Sequence, residues 1–379
     1  MTEKADTTGR LCRLISRWFS RLLLSLTAIL FSFVLAEMGL RLLGWPKFYK
    51  HYEQNTYRFF TTNLRTEHGP LYVNQPGRIT FFYDGNPRGY FGRDNEVHHD
   101  VNPSGFRGPA FTPKLDGTFR MVFLGDSFTF GEGVHNGDTY PKVAARLLRK
   151  GGHRVEACNL GVGGYNTSQE ADVLHLLGFA LQPDVVVLGY TMNDAEPPLF
   201  EVDAKSNQAV RRKREIFVEA EGPLRGPPES PLFRIRLAQA IWKEYRLRYL
   251  TKQTVHFYRS IHAPDSVGRV ESERALREII SQCHERGIPC VVVMFPLLYE
   301  LSDDYPFADV HKTIGDLVVE AGGTFIDLLP ALKGQNARKL IVHPTDQHPN
   351  EKVHEIAGRF VAQQVAQIHN SPLQTKPAY

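Results

Sequence analysis

The chain has 379 residues, of which 42% are hydrophobic, 11% aromatic and 23% charged. That mixture buries a large core and excludes a disordered or low-complexity protein. Four cysteines rule out a disulfide scaffold, no CxxC or Cys/His spacing suggests zinc, and a net charge of +4 is too dilute for a nucleic-acid interface.

In chain order, the first element is an apolar helix. Leu22 to Ala36 is an uncharged apolar run, and a second apolar stretch, broken by Glu37 and Arg41, continues to Trp45. Lys4, Arg10, Arg13, Arg17 and Arg21 precede it against Glu3 and Asp6. A basic flank ahead of an apolar helix keeps the N-terminus in the cytoplasm and sends the rest across the membrane. Arg21 and Arg41 can snorkel to the two interfaces, and Trp45 suits the outer one. The segment reads as a single-pass signal-anchor in the cytoplasmic membrane, with the body on the extracytoplasmic (periplasmic) side. Val34-Leu35-Ala36 offers a cleavage site, and secretion after Ala36 is the alternative. Cys12 then lies on the cytoplasmic side. Cys158, Cys283 and Cys290 lie outside and read as buried small apolar residues, with one disulfide among them as the alternative.

Residues 46–118 are rich in aromatics, Gly and Pro without a helical period, and read as an extracytoplasmic spacer or N-terminal extension. Ile79–Tyr83, then Asp84-Gly85-Asn86, then Tyr90-Phe91 predicts a hairpin. His98 and His99 are neighbours on an extended run, so they point to opposite faces and do not converge on a metal.

From Phe119 the pattern alternates. Strands are predicted at 120–124, 155–160, 184–190, 290–295 and 324–328, with helices at 141–149, 169–181, 271–286, 310–320 and 351–369. Strand–helix alternation with near-continuous apolar strands predicts a parallel sheet covered on both faces. Ligands in such sheets bind at the carboxyl ends of the strands. The chemistry-bearing segments fall there: Gly125-Asp126-Ser127 after the first strand, Gly161 to Asn166 after the second, Asn193-Asp194 after the third, and His343 to Asn350 after the fifth.

Four such blocks in this order resemble the SGNH (GDSL-type) hydrolases, over roughly residues 119–369, as a membrane-anchored bacterial-type member. The resemblance implies a flavodoxin-like three-layer α/β sandwich with five parallel strands. It implies an esterase, lipase, thioesterase or carbohydrate deacetylase. Ser127 matches the nucleophile, Gly164 (with Gly163 as the alternative) the second-block glycine, Asn193 the third-block asparagine and His348 the last-block histidine. The family's usual Asp-x-x-His is absent, because Thr345 stands three residues before His348. Asp346 stands two before it, and residues two apart in an extended stretch project to one side. Asp346 is therefore the expected acid, with His343 as a rival base.

Acyl transfer needs a base to activate the serine, here His348 oriented by Asp346. It also needs donors for the oxyanion: the Ser127 and Gly164 N–H groups and the Asn193 amide. Asp126 and Asp194 read as loop-shaping groups, and no metal or organic cofactor is required. The expected partners are an O-acylated glycan, lipid or small ester and the membrane, without nucleic acid. The same triad could serve an O-acyltransferase of envelope polysaccharide, and a catalytically silent glycan-binding module is the third reading.

The chain thus divides into 1–45 (tail and anchor), 46–118 (spacer) and 119–379 (hydrolase), with an insertion at about 195–266 expected to cap the cleft. That insertion carries Arg211-Arg212-Lys213-Arg214, a turn from Gly222 to Pro231, and a basic amphipathic stretch from Leu232 to Leu250. The stretch suits either an anionic lipid or polysaccharide surface or an ordinary solvated face.

Overall fold

The computed structural model describes residues 3–50, 53–54, 59–66, 69–202, 209–211 and 227–370. The chain divides into two compact units, one of residues 1–48 with 225–250 and the other of residues 49–224 with 251–379.

In the first unit, α1 (Glu3–Leu42) is a single helix. Its Leu14–Leu42 portion is long and apolar enough to cross a membrane. The two charges that interrupt the apolar run satisfy each other one turn apart, Arg41 Nε donating to Glu37 Oε1 at 2.7 Å. Glu37 also accepts from the Arg236 and Leu237 N–H groups, both at 3.0 Å. These belong to the free first turn of a second helix, Arg236–Ile261. Residues 225–250, part of the insertion at about 195–266, fall in the same compact unit as the N-terminal segment. The basic run beyond Arg211 and the first part of the Gly222–Pro231 turn lie outside the described residues, as does the Cys12 side chain.

In the second unit, β1 (Gly77–Phe82) pairs antiparallel with β2 (Glu96–Val101). The hairpin is real, but its second strand lies beyond the predicted Tyr90-Phe91. Asn86 explains the difference: its Oδ1 accepts from the Tyr90 and Phe91 N–H groups at 2.9 and 3.2 Å, and its Nδ2 donates to Phe91 O at 3.0 Å. That folds 86–91 into a closed loop with its backbone groups already used. His99 is buried and accepts the Gly133 N–H, whereas His98 faces Thr80 on the opposite side.

The central sheet follows: β3 (Phe119–Gly125), β4 (Val155–Asn159), β5 (Val185–Tyr190), β6 (Cys290–Met294) and β7 (Thr324–Asp327). All pairs are parallel, in the order β7-β6-β5-β3-β4. Every residue of β3, β5 and β6 is buried, as strands covered on both faces require. α3 (Tyr140–Lys150) packs on α4 (Glu351–His369), and the helix Thr167–Val173 packs on Val267–Glu285. The predicted helix over 169–181 is α-helical only to Val173, then turns through a π segment and a 3-10 turn ending at Leu181. Gly178 within it and Pro183 beyond it weaken a regular finish. Cys158, Cys283 and Cys290 are buried free thiols.

The predicted spacer is part of this unit's core. Leu71, Tyr72, Val73 and Phe106 are buried in the same cluster as the sheet, and the Tyr165 hydroxyl donates to Tyr72 O. The order of strands reverses between β3 and β5, the position where open α/β sheets form their ligand crevice.

Candidate active site

β3 ends at Gly125, whose φ is +147° and whose added Cβ would lie 2.0 Å from Thr129 Oγ1. Only glycine permits this close turn from strand into α2 (Ser127–Phe130). Asp126 caps α2, its Oδ1 accepting from the Phe128 N–H at 2.8 Å. Ser127 opens the helix, so its own N–H has no acceptor within it. The far end is held by the buried Arg107 guanidinium, which donates to Phe130 O at 2.8 Å, to Val134 O at 2.5 Å and to Gly131 O.

The histidine and its acid come from a short antiparallel ribbon, β8 (Ile341–His343) and β9 (Asp346–Pro349), ahead of α4. Because β9 is extended, Asp346 and His348 project to one side, and Asp346 Oδ1 lies 2.5 Å from His348 Nδ1. His348 Nε2 lies 2.8 Å from Ser127 Oγ. The rival His343 pairs with Asp346 across the ribbon and is buried, its Nδ1 engaged with Thr345 Oγ1 at 2.8 Å.

Two further groups surround this pair. The Tyr83 hydroxyl donates to Asp346 Oδ2 at 2.7 Å. Glu132 places Oε1 3.9 Å from His348 Nδ1. Burial disfavours the imidazolium, but the charges of Glu132 and Asp346 outweigh it and raise His348 above the ordinary histidine range. For Asp346, burial acts to raise the pKa, but the imidazole and its donors prevail and hold it below the usual carboxylate value. Glu132, Asp346 and His348 also form a set of ligand-type atoms within 4.8 Å of one another. The ring nitrogens of His348 already face Asp346 and Ser127.

Asn193 lies on the 3-10 turn Met192–Ala195 after β5. Its Nδ2 donates one hydrogen to Asp126 Oδ2 at 2.8 Å, leaving the second for a ligand. Thr191 Oγ1 donates to Asn193 Oδ1, which fixes the orientation of the amide. Gly164 has φ +83° in the loop after β4, and an added Cβ would lie 2.9 Å from Leu199. Asn159 joins that loop to the serine loop, donating to Thr129 O at 2.7 Å and accepting from the Gly161 N–H at 2.9 Å.

The structure therefore brings Ser127, His348 and Asp346 into one hydrogen-bonded line, with Asn193 tied to it through Asp126. Tyr83, Arg107 and Glu132 were not singled out from the sequence. Tyr83 is 263 residues from Asp346, and no local pattern announces such a contact. Glu132 lies five residues past Ser127, near enough that a second acid beside the first block was a usable signal.

A family model described as GDSL-like Lipase/Acylhydrolase matches residues 123–356. Solved structures similar to this chain include the esterase EstA from Pseudoalteromonas sp., at 11% identity and TM-score 0.37, covering 68% of this chain and 100% of that one. A lipase/acylhydrolase from Enterococcus faecalis matches at 13% identity and TM-score 0.38, over 65% of this chain and 95% of that one. An acetylxylan esterase from Geobacillus stearothermophilus matches at 14% identity and TM-score 0.40, over 68% of this chain and 96% of that one. No curated protein matches the sequence.

Proposed function

Since the chain belongs to the GDSL-like lipase/acylhydrolase family and is an ester hydrolase of that kind, we propose that Ser127 is its nucleophile, His348 its general base and Asp346 the acid that orients His348. The observation that carries this is the unbroken line Ser127 Oγ–His348 Nε2–His348 Nδ1–Asp346 Oδ1, at 2.8 Å and 2.5 Å. Neutral His348 takes the serine proton as Oγ attacks the ester carbonyl. The imidazolium so formed is stabilised by Asp346 and then protonates the leaving alkoxide. Water, deprotonated by the same imidazole, resolves the acyl-serine. The oxyanion is met by the Ser127 N–H, the Gly164 N–H and the free hydrogen of Asn193, each such donor contributing about 3–4 kcal/mol in the transition state.

The substrate we assign is an O-acyl ester of an envelope glycan, a lipid or a small alcohol, met on the extracytoplasmic side of the membrane. The basic flank and apolar span of α1 support that placement, α1 serving as anchor. The test is p-nitrophenyl acetate hydrolysis by the full chain in detergent, with Ser127→Ala alongside, and fluorophosphonate labelling mapped by mass spectrometry. Ser127→Ala should lose roughly 10⁴-fold or more in kcat and all labelling. Equal turnover by both proteins, or label on another serine, rejects the assignment.

A further inference from the structure

The basic stretch from Leu232 to Leu250 takes no part in the reaction above, and its first half is fixed to the end of α1. The Arg41 guanidinium, besides pairing with Glu37, donates to Arg234 O at 2.8 Å. Glu37 in turn caps the first turn of the helix Arg236–Ile261. Two turns further on, Lys243 Nζ donates to Lys47 O at 2.5 Å. The Trp242 ring meets Phe48 and Phe233, with ring centroids 6.2 and 6.0 Å away. Glu37 and Arg41 are the first charges after the uncharged apolar run of α1. Charged residues that close an apolar span lie at the level of the lipid headgroups. The segment bonded to them, which begins at Arg234, is held near that level too.

The outward side of this segment is both apolar and basic. Leu232, Ile241 and Tyr245 are 58%, 64% and 65% exposed. Ile241 and Tyr245 stand four residues apart on one face of the helix, and the exposed Arg248 continues that face three residues on. A helix face turned to bulk water carries polar groups at such positions. A face laid on a membrane carries this combination, apolar side chains and tyrosine sinking into the interface beside cations that meet phosphates. Residues 231–250 hold five basic side chains, Arg234, Arg236, Lys243, Arg246 and Arg248, against the single acid Glu244. That excess repels a second copy of the same surface and attracts an anionic one.

We propose that residues 231–248 form a platform that rests on anionic phospholipid in the leaflet where α1 emerges. Ile241 and Tyr245 enter the boundary between headgroups and acyl chains, and Arg234 and Arg248 meet the phosphates. The inference rests on the reading of α1 as a membrane anchor. An acidic polysaccharide would engage the cations but would give Ile241 and Tyr245 nothing apolar to enter. Anchoring then has two parts, a hydrophobic span indifferent to lipid charge and a surface contact that strengthens with it.

The test uses the full chain with Cys12→Ser and Ile241→Cys, labelled at position 241 with an environment-sensitive NBD fluorophore; the other three cysteines are buried. It is reconstituted into vesicles of phosphatidylcholine alone or mixed with phosphatidylglycerol, with and without a phospholipid carrying a nitroxide on its acyl chain. In the mixed vesicles the NBD emission should shift to the blue and be quenched by the nitroxide lipid, and in phosphatidylcholine alone both effects should shrink. Adding Arg234→Gln and Arg248→Gln should lower the ratio of lipid-seated to free label by about fivefold for each arginine removed. That variant should keep its p-nitrophenyl acetate turnover in detergent, which shows that it folds. Quenching that ignores phosphatidylglycerol and the two arginines overturns the recognition of anionic lipid. No quenching in either vesicle overturns the platform, and blue emission without quenching means that protein, not lipid, covers the face. If carbonate extraction releases the chain, the anchor reading fails, and the released chain mixed with the same vesicles still judges the surface by its quenching.

Discussion

Ser127 and His348 stand in a field of carboxylates, and the balance among them governs the reaction's pH dependence. Because Glu132 and Asp346 raise His348, the resting imidazole is largely protonated near neutrality and must lose its proton before it can act as base. kcat/KM should therefore rise with pH through the His348 titration. Glu132→Gln removes one negative neighbour, destabilises the imidazolium and should move the rising limb to lower pH. A pH–rate profile checks the sign, and a shift to higher pH would refute the role given to Glu132. Tyr83→Phe keeps the stack on Phe91, with ring centroids 4.3 Å apart, and deletes one donor to Asp346. A hydrogen bond to a charged group is worth about 1.5–3 kcal/mol, so kcat/KM should fall about tenfold if the lower value is felt fully in the transition state. Asn193→Ala should cost roughly 10²-fold in kcat with a smaller change in KM. Of these residues, the order and spacing of the blocks pointed to Ser127, Asn193, His348 and Asp346. Tyr83 was silent because its partner is distant in sequence, and a tyrosine among many aromatics carries no local mark of its hydrogen bond.

At the scale of elements, strands β3 and β5 and the ribbon β8–β9 carry the site, and the loops that follow β3, β4 and β5 are tied to one another by the Asn159 and Asn193 hydrogen bonds. The Asp-x-His spacing works because β9 is extended, whereas in a helix residues two apart face away from each other. Arg107 acts as a clamp on the turn after α2, and its deletion leaves buried carbonyls unpaired. Arg107→Met should destabilise the fold by about 3 kcal/mol, read as a lower urea midpoint with unchanged slope. Gly164→Ala combines a left-handed φ with a close approach to Leu199 and should lower both activity and thermal midpoint. The strands and most helices were legible in the sequence, since their apolar runs and periods are local properties. The hairpin's second strand was not, because Asn86 captures Tyr90 and Phe91 into a loop, and only long-range pairing selects Glu96–Val101.

For the whole molecule, the N-terminal helix and the hydrolase fold answer different questions. As an anchor, α1 should keep the full chain in the membrane pellet after alkaline carbonate extraction. Intact-mass analysis should find no form beginning at Glu37. Release of a soluble, Glu37-starting form would make α1 a cleaved signal. The sequence by itself determined the α/β class, the order of the four blocks and the apolar N-terminal helix, since each is written in local composition and period. Tertiary structure decided the rest. It packed Leu71, Tyr72, Val73 and Phe106 into the sheet's core and brought Tyr83 and Arg107 to the site from a stretch that reads as a spacer. It set residues 225–250 with the N-terminal segment. Contacts between residues far apart in the chain depend on which surfaces exclude water together, and no run of neighbouring residues encodes that.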